Sequence, residues 1–295
     1  MKILIIGGNR FFGRRLAVLL VDAGHEVTLL NRGSKDDGLG DRVHRLKADR
    51  DNHIQMVEAI GESKWDVVVD QVAFDYEQAE SVCELFRGRT KRFVFTSTQS
   101  VYEAGSDISE SAFVPESHQF AERVAREKDY GEAKRQAEVA FHRTASFPIC
   151  FARLPIVIGE DDYTGRFKWH LDKLVNEKEM FFPNHEAQIS FVTAEFAATA
   201  LKWLVESDFT GPINIASSNP IKLNDFVGLL ATYTGKKPIY SSEASQENHS
   251  PYGISESWFM NCSVLNSNGL RSAEIIDWLP VLLDNHFKSY QVGAQ

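Results

Sequence analysis

The chain has 295 residues, 43% of them hydrophobic and 25% charged, the composition of an ordinary globular protein built as one large domain or a domain with a smaller lobe. Its net charge of −9 argues against a broad nucleic-acid surface, and it has no run of about 18 apolar residues to span a membrane. Three widely spaced cysteines, Cys83, Cys150 and Cys262, suggest reduced thiols and a cytoplasmic setting.

The first predicted strand is the apolar run over residues 2–6, which reads as buried on both faces and is too short for a signal segment. It stops at Gly7-Gly8, and a helix with Leu16, Leu19, Leu20 and Ala23 on one side begins within four residues. Strand, glycine turn and helix together aim backbone N–H groups at a phosphate, although a plain tight turn has the same pattern. Gly24 reads as the helix cap. Further strands are expected over 26–30, 43–47, 66–70 and 92–96, with helices over 52–61 and 75–87; the basic cluster at 87–92 reads as a solvated loop. This alternation predicts an α/β fold with a doubly wound parallel sheet of the Rossmann kind. Ligands in such sheets sit at the carboxyl ends of the strands, which would place Gly8, Arg32, Asp49, Gln71 and Thr98 along one crevice.

The end of the second strand bears on the cofactor. An acidic side chain there bonds the ribose 2′-hydroxyl of NAD, whereas this chain has Asn31 and then Arg32. A guanidinium pairs with a 2′-phosphate, and Arg10 is near enough in the loop to join it, so the reading favours NADP, with NAD still possible. Two exposed loop arginines without a ligand are the alternative.

A helix expected over 119–146 contains Tyr130-Gly131-Glu132-Ala133-Lys134. Spacing i, i+4 puts the phenol and the ammonium on one face, where the cation favours phenolate and suits the tyrosine to proton transfer. Most Tyr-x-x-x-Lys pairs lie on surfaces; this one follows a glycine loop, five strands and the hydroxyl-rich stretch from Thr96 to Tyr102. The nine histidines show no metal-ligand spacing, so no metal site is expected, and Asp161-Asp162 reads as a solvated loop. Phe167, Trp169, Phe181 and Phe182 suit either a pocket lining or a core, and residues 241–251 read as a mobile polar loop.

Four segments in order, Ile6 to Gly13, Phe95 to Tyr102, Tyr130 to Lys134 and Arg153 to Gly159, resemble successive motifs of the extended short-chain dehydrogenase/reductases, the NAD-dependent epimerase/dehydratase family. The resemblance covers most of residues 1–216 and weakens beyond, apart from Trp278-Leu279-Pro280. It implies that Tyr130 is the catalytic acid/base, Lys134 its partner and Thr98 the catalytic hydroxyl. The loop Gly7-Gly8-Asn9-Arg10-Phe11-Phe12-Gly13 would then hold the cofactor phosphates. Asp49 and Arg50 would lie near adenine, Gln71, Val72 and Ala73 beneath the cofactor, and Pro155 beside the nicotinamide. The dinucleotide-binding domain would span 1–158, with 189–216 returning to it, and a smaller C-terminal substrate lobe would take 159–188 and 217–295. Arg10 in place of the middle glycine resembles the branch that includes chloroplast stem-loop-binding proteins. Nucleotide-sugar dehydratases carry Asp-Glu after the threonine; Gln99 and Ser100 stand here, and neither does that proton work, so a 4,6-dehydratase is disfavoured. Ile156 replaces an asparagine that many epimerases keep for the sugar nucleotide.

The expectation is an NAD(P)-dependent oxidoreductase or epimerase acting on a hydroxyl or carbonyl carbon of a sugar-like or other small substrate, as a monomer or homodimer without nucleic acid or membrane. The alternative is a cofactor-binding protein without turnover, either an RNA-binding relative of the stem-loop-binding proteins or a redox-sensing regulator.

Overall fold

The apolar N-terminal run forms β1 (Lys2–Ile6), an interior strand of a seven-stranded parallel sheet, which is why it has no polar face. The computed structural model describes residues 1–292, with side chains to residue 285. In chain order come α1 (Phe11–Asp22), β2 (Glu26–Asn31), β3 (His44–Lys47), α2 (His53–Ile60), β4 (Trp65–Asp70), α3 (Tyr76–Leu85), β5 (Thr90–Thr98), β6 (Gly105–Ile108), α4 (Tyr130–Thr144) and β7 (Ile149–Leu154). Then follow β8 (Ile156–Ile158), α5 (Arg166–Val175), β9 (Glu179–Met180), β10 (Gln188–Ile189), β11 (Phe191–Thr193), α6 (Ala194–Glu206) and β12 (Gly211–Asn214). The chain ends with β13 (Ile221–Lys222), α7 (Leu223–Thr234), β14 (Ile239–Tyr240), β15 (Trp258–Met260), α8 (Ser263–Ser267) and α9 (Ile275–Val292). It divides into two units, one of Met1–Tyr102, Glu110–Pro155 and Ala194–Ile215, the other of Glu103–Ser109, Ile156–Thr193 and residues from Ala216 onward.

In the first unit the strand order is β12-β7-β5-β4-β1-β2-β3, with every pair parallel. Alternate strand residues Leu4, Ile6, Val68, Phe93 and Phe95 form one core with Met56, Val82, Ala137 and Phe141 from α2, α3 and α4. The residues between them, Ile3, Ile5, Val67, Val69 and Val94, are buried on the opposite face. The helix α1 packs on α6, burying Phe11, Gly13, Leu16, Ala17 and Leu20. Ala23 is exposed rather than part of that face, because the helix has already ended there. Gly24, at φ +81°, closes it: the Gly24 N–H donates to the Val21 carbonyl at 2.9 Å and the His25 N–H to the Leu20 carbonyl at 3.1 Å.

The helix expected over 119–146 begins only at Tyr130, because Asp129 caps it by accepting the Glu132 N–H at 2.9 Å. The preceding chain is held off the helix by Gln136, which accepts from the Val124 N–H and donates to the Glu122 carbonyl, both at 2.9 Å. Arg92 is not in a solvated loop: it lies in β5, is buried, and donates to the Phe209 carbonyl.

The second unit has a four-stranded sheet in the order β13-β10-β15-β6, the pairs β8–β11 and β9–β14, and its own core. Phe167 and Phe182 belong to that core with Phe191, Phe226 and Tyr252, and Trp169 packs at its edge. Because β11 pairs with β8, the chain re-enters the first unit at Ala194 and not at residue 189. Residues 241–251 are tied down: Asn248 and Ser250 are buried, and the Ser250 hydroxyl lies 2.8 Å from His170 Nε2.

One polar cluster lies wholly inside the first unit. Arg153 on β7 and Glu138 on α4 are both fully buried, with Nη2 2.6 Å from Oε2 and Nε 3.1 Å from Oε1. Arg153 also donates to the Tyr102 hydroxyl at 2.8 Å and to the carbonyls of Glu110 and Phe113 at 2.9 and 3.0 Å. Ser97 donates to Glu138 at 2.5 Å, and Tyr102 donates to Asn214 at 2.7 Å. Burial pushes the Tyr102 phenol up, against the pull of Arg153, so it stays protonated and able to donate. Glu138→Gln leaves a buried guanidinium without its counter-charge and is expected to cost about 3–5 kcal/mol. Urea denaturation measures this, and a loss under about 1 kcal/mol would show the ion pair to be dispensable.

Candidate active site

Glycines shape the first wall of the site. Gly7 and Gly8 have φ of +94° and +76°, and a Cβ on Gly8 would stand 2.7 Å from the Ile5 side chain. A Cβ on Gly13 would lie 2.2 Å from Gln71 Oε1 and 2.9 Å from the Gly8 Cα. Arg10 is extended at φ −146°, a conformation open to any residue, so the absence of a middle glycine strains nothing at that position. The strain falls on Phe11, at φ +52°, in a region that costs a non-glycine residue about 1–2 kcal/mol. Gln71 lies beside this turn, and its Nε2 is buried without a hydrogen-bond partner among the described residues. A cradle closed to any Cβ, with an orphaned donor beside it, fits the phosphates of a dinucleotide.

The end of β4 is organised by Asp70, which the sequence reading passed over. Its fully buried carboxylate accepts the Val72 and Ala73 N–H groups, each at 2.9 Å, and pairs with Arg50 Nη2 at 2.7 Å. Arg50, expected near adenine, thus has its guanidinium on Asp70 and, at 3.2 Å, on the Gln78 carbonyl. Asp49 is half-buried and accepts the Asp51 N–H at 3.1 Å. At the end of β2, Asn31 accepts the Gly33 N–H at 2.8 Å and Arg32 is exposed. Asn9 and Phe12 are half-buried and Arg10 is exposed in the loop; Pro155 is half-buried between β7 and β8.

The chemistry-bearing groups gather at the ends of β5 and α4. Thr98 ends β5, and its hydroxyl accepts the Ser100 N–H at 3.1 Å and lies 3.3 Å from the Ser100 hydroxyl. Tyr130 opens α4, 42% exposed. Gly131 fixes how closely the two elements meet: a Cβ there would lie 2.7 Å from the Ser100 carbonyl oxygen. Only glycine lets the first turn of α4 press against the turn that carries Thr98.

Lys134 is nearly fully buried, with Nζ donating to the Ala73 carbonyl at 2.9 Å and the Thr96 carbonyl at 2.8 Å. It also lies 4.1 Å from the Phe95 ring centroid. Two of its three donors are committed to backbone, so the lysine first of all ties the 71–73 turn to β5. Burial pushes its pKa down to about 7, against the opposing pull of Asp70 and Glu138. Its electrostatic help to the phenol is therefore smaller than the i, i+4 spacing suggested.

Among the described residues no group of three or more His, Cys, Asp or Glu is placed to hold a metal, and no helix is long and apolar enough to cross a membrane. The model of the NAD dependent epimerase/dehydratase family matches residues 3–216. A chloroplast stem-loop binding protein of 41 kDa from Arabidopsis thaliana is 32% identical over 114 residues, which cover 34% of this chain and 30% of that protein. Among solved structures, UDP-glucose 4-epimerase of Thermus thermophilus in complex with NAD has a TM-score of 0.73 at 17% identity, covering 98% of this chain and 99% of that one. UDP-glucuronic acid 4-epimerase of Bacillus cereus, in complex with UDP-glucuronic acid and NAD, gives 0.73 at 17%, covering 98% and 100%. A dTDP-glucose 4,6-dehydratase of Bacillus anthracis with NAD gives 0.76 at 15%, covering 98% and 97%. At these identities the structural likeness establishes the fold.

The Lys134 environment predicts a pH signature. Its folded pKa lies below the ordinary 10.5, so between about 7 and 10.5 the unfolded chain binds more protons and stability rises with pH. Lys134→Met should lose that rise when wild type and variant are denatured across this window; parallel profiles would contradict the assignment.

Proposed function

The chain belongs to the NAD-dependent epimerase/dehydratase family, and from that premise we propose that it is an NADP-preferring oxidoreductase or epimerase acting at a hydroxyl- or carbonyl-bearing carbon of a sugar-like or other small substrate. The observation that carries this reading is the start of α4, Tyr130 with Lys134, pressed at Gly131 onto the Thr98 turn in the same unit as the glycine cradle. The first unit is then the dinucleotide-binding domain and the second the substrate lobe.

The bound nicotinamide supplies the hydride acceptor or donor. In the oxidative direction the Tyr130 phenolate takes the hydroxyl proton as the carbon gives up its hydride and a C=O bond forms; reduction runs the same transfers backward. The Thr98 hydroxyl bonds the substrate oxygen and holds it toward the phenol. Lys134 keeps the 71–73 turn and β5 in register beneath the reacting groups. Backbone N–H groups of the Gly7–Gly13 loop and Gln71 Nε2 would hold the phosphates, with Asp49 and Arg50 toward adenine, Val72 and Ala73 beneath the cofactor and Pro155 toward the nicotinamide. An epimerase returns the hydride to the opposite face within one turnover, whereas a reductase releases its cofactor. Gln99 and Ser100 supply no acid–base pair for eliminating water, which disfavours a 4,6-dehydratase.

The protein acts on this reading in the cytoplasm, as a monomer or homodimer, and its three thiols are buried. A second reading, RNA binding without turnover, is supported by the match to the stem-loop binding protein, and the net charge of −9 weighs against it.

NADPH is expected to bind about tenfold to a hundredfold more tightly than NADH, since each charge-assisted hydrogen bond from Arg32 or Arg10 to a 2′-phosphate contributes roughly 1.5–3 kcal/mol before exposure discounts it. Arg32→Ala should weaken NADPH and leave NADH nearly unchanged by calorimetry, and equal effects on both would remove the 2′-phosphate assignment. Tyr130→Phe should abolish turnover while leaving cofactor binding intact.

A further inference from the structure

We propose that Arg126 is the anion-binding residue of this site, and that the substrate is a small sugar-like molecule carrying a phosphate or carboxylate. The proposal rests on the reading of Tyr130 as the proton-transfer group.

Phe74 brings the relevant groups together. Its backbone N–H is fixed by Gln78 Oε1 at 2.7 Å, directly after the turn that Asp70 organises. The Arg126 guanidinium stands over its ring with Cζ 4.5 Å from the centroid, and the Tyr130 ring centroid lies 6.3 Å from the same point. A permanent cation and the ring of the candidate acid/base therefore pack against the same aromatic side chain. Stacking on an aromatic face orients a guanidinium and leaves its edge nitrogens available for an oxyanion.

The segment presenting Arg126 is held in place. Gln136 bonds the backbone at residues 122 and 124. Arg123 sits 4.0 Å over the Tyr76 ring and pairs with Glu77 at 3.3 Å and Glu80 at 3.5 Å. The Lys128 and Asp129 N–H groups both donate to the Ala125 carbonyl, at 3.0 and 3.3 Å, leading directly into α4. Arg126 itself is 44% exposed. Its Nε bonds the neighbouring Glu127 at 2.7 Å, and its two terminal nitrogens make no hydrogen bond among the described residues. Those two nitrogens form the fork that takes a carboxylate or phosphate in bidentate fashion. Glu127 is 71% exposed and can turn to solvent at little cost. Lys134 Nζ, 5.5 Å from the same Phe74 ring centroid, is committed to two backbone carbonyls, whereas the terminal nitrogens of Arg126 are open to an oxyanion.

The test uses matched substrates with wild type, Arg126→Ala and Arg126→Lys, after each variant is shown to bind NADPH like wild type. Glucose 6-phosphate against glucose, and galacturonate against galactose, are assayed for NADP reduction and for epimer formation. The charged member of at least one pair should be turned over about tenfold better in kcat/KM, the effect of about 1.4 kcal/mol from one anion contact. Arg126→Ala should erase that preference through KM with kcat little changed, and Arg126→Lys should restore part of it; which pair responds identifies phosphate or carboxylate. Equal turnover of charged and neutral members, or a preference that survives in Arg126→Ala, overturns the proposal and leaves the Tyr130 reading standing. No turnover of any member by a protein that binds NADPH counts against both.

Discussion

The buried pair of Arg153 and Glu138 is the constraint on which the candidate site depends. Two opposite charges removed from water lose so much solvation that they persist only when every donor and acceptor is met. Here Ser97, Tyr102 and the carbonyls of Glu110 and Phe113 meet them, and Asn214 in turn accepts from Tyr102. Those partners lie at the end of β5, in the chain just after it, on β12 and in the segment before α4, so the pair specifies geometry more than it adds stability. Glu138 stands one turn beyond Lys134 and two beyond Tyr130 on the same helix, and fixing it sets the position of both.

A second layer of fixed groups works at the strand ends. Asp70 folds the 71–73 turn, Lys134 ties that turn to β5, and Gly13 lets Gln71 lie against the glycine loop. Each group is buried, and each acts mainly on backbone. The groups assigned to a ligand are both exposed (Arg10, Arg32, Tyr130 and Arg126) and buried (Thr98 and the Nε2 of Gln71), and the buried ones are held by this layer, as in preorganised sites.

Much of this was legible in the sequence where residue type is dictated by local conformation. Gly7, Gly8 and Gly24 mark positive φ, and the strand runs expected from 2 to 96, alternating with helices, anticipated five of the seven sheet strands. The start of α4 was misplaced because charged and apolar residues continue through 119–129 at helix-like spacing, while Asp129 as a cap is a single-residue signal. Arg92 read as part of a solvated basic cluster and Arg153 only as the start of a family-like motif, since their partners come from residues far along the chain: Phe209 for one, Glu138 and Glu110 for the other. A charge inside the apolar run 149–154 was the available sign of a buried pair. The re-entry point at Ala194 depends on β11 pairing with β8, a register that no local pattern encodes.

If the glycine cradle, the Asp70 turn and the start of α4 form one nicotinamide-dinucleotide site, a crystal structure of the protein grown with NADPH will show it. The pyrophosphate is expected over Gly7 to Gly13 within hydrogen-bond reach of Gln71 Nε2, the 2′-phosphate against Arg32, and the nicotinamide beside Tyr130 and Thr98. A dinucleotide bound elsewhere, or one whose nicotinamide end lies away from Tyr130, would contradict it.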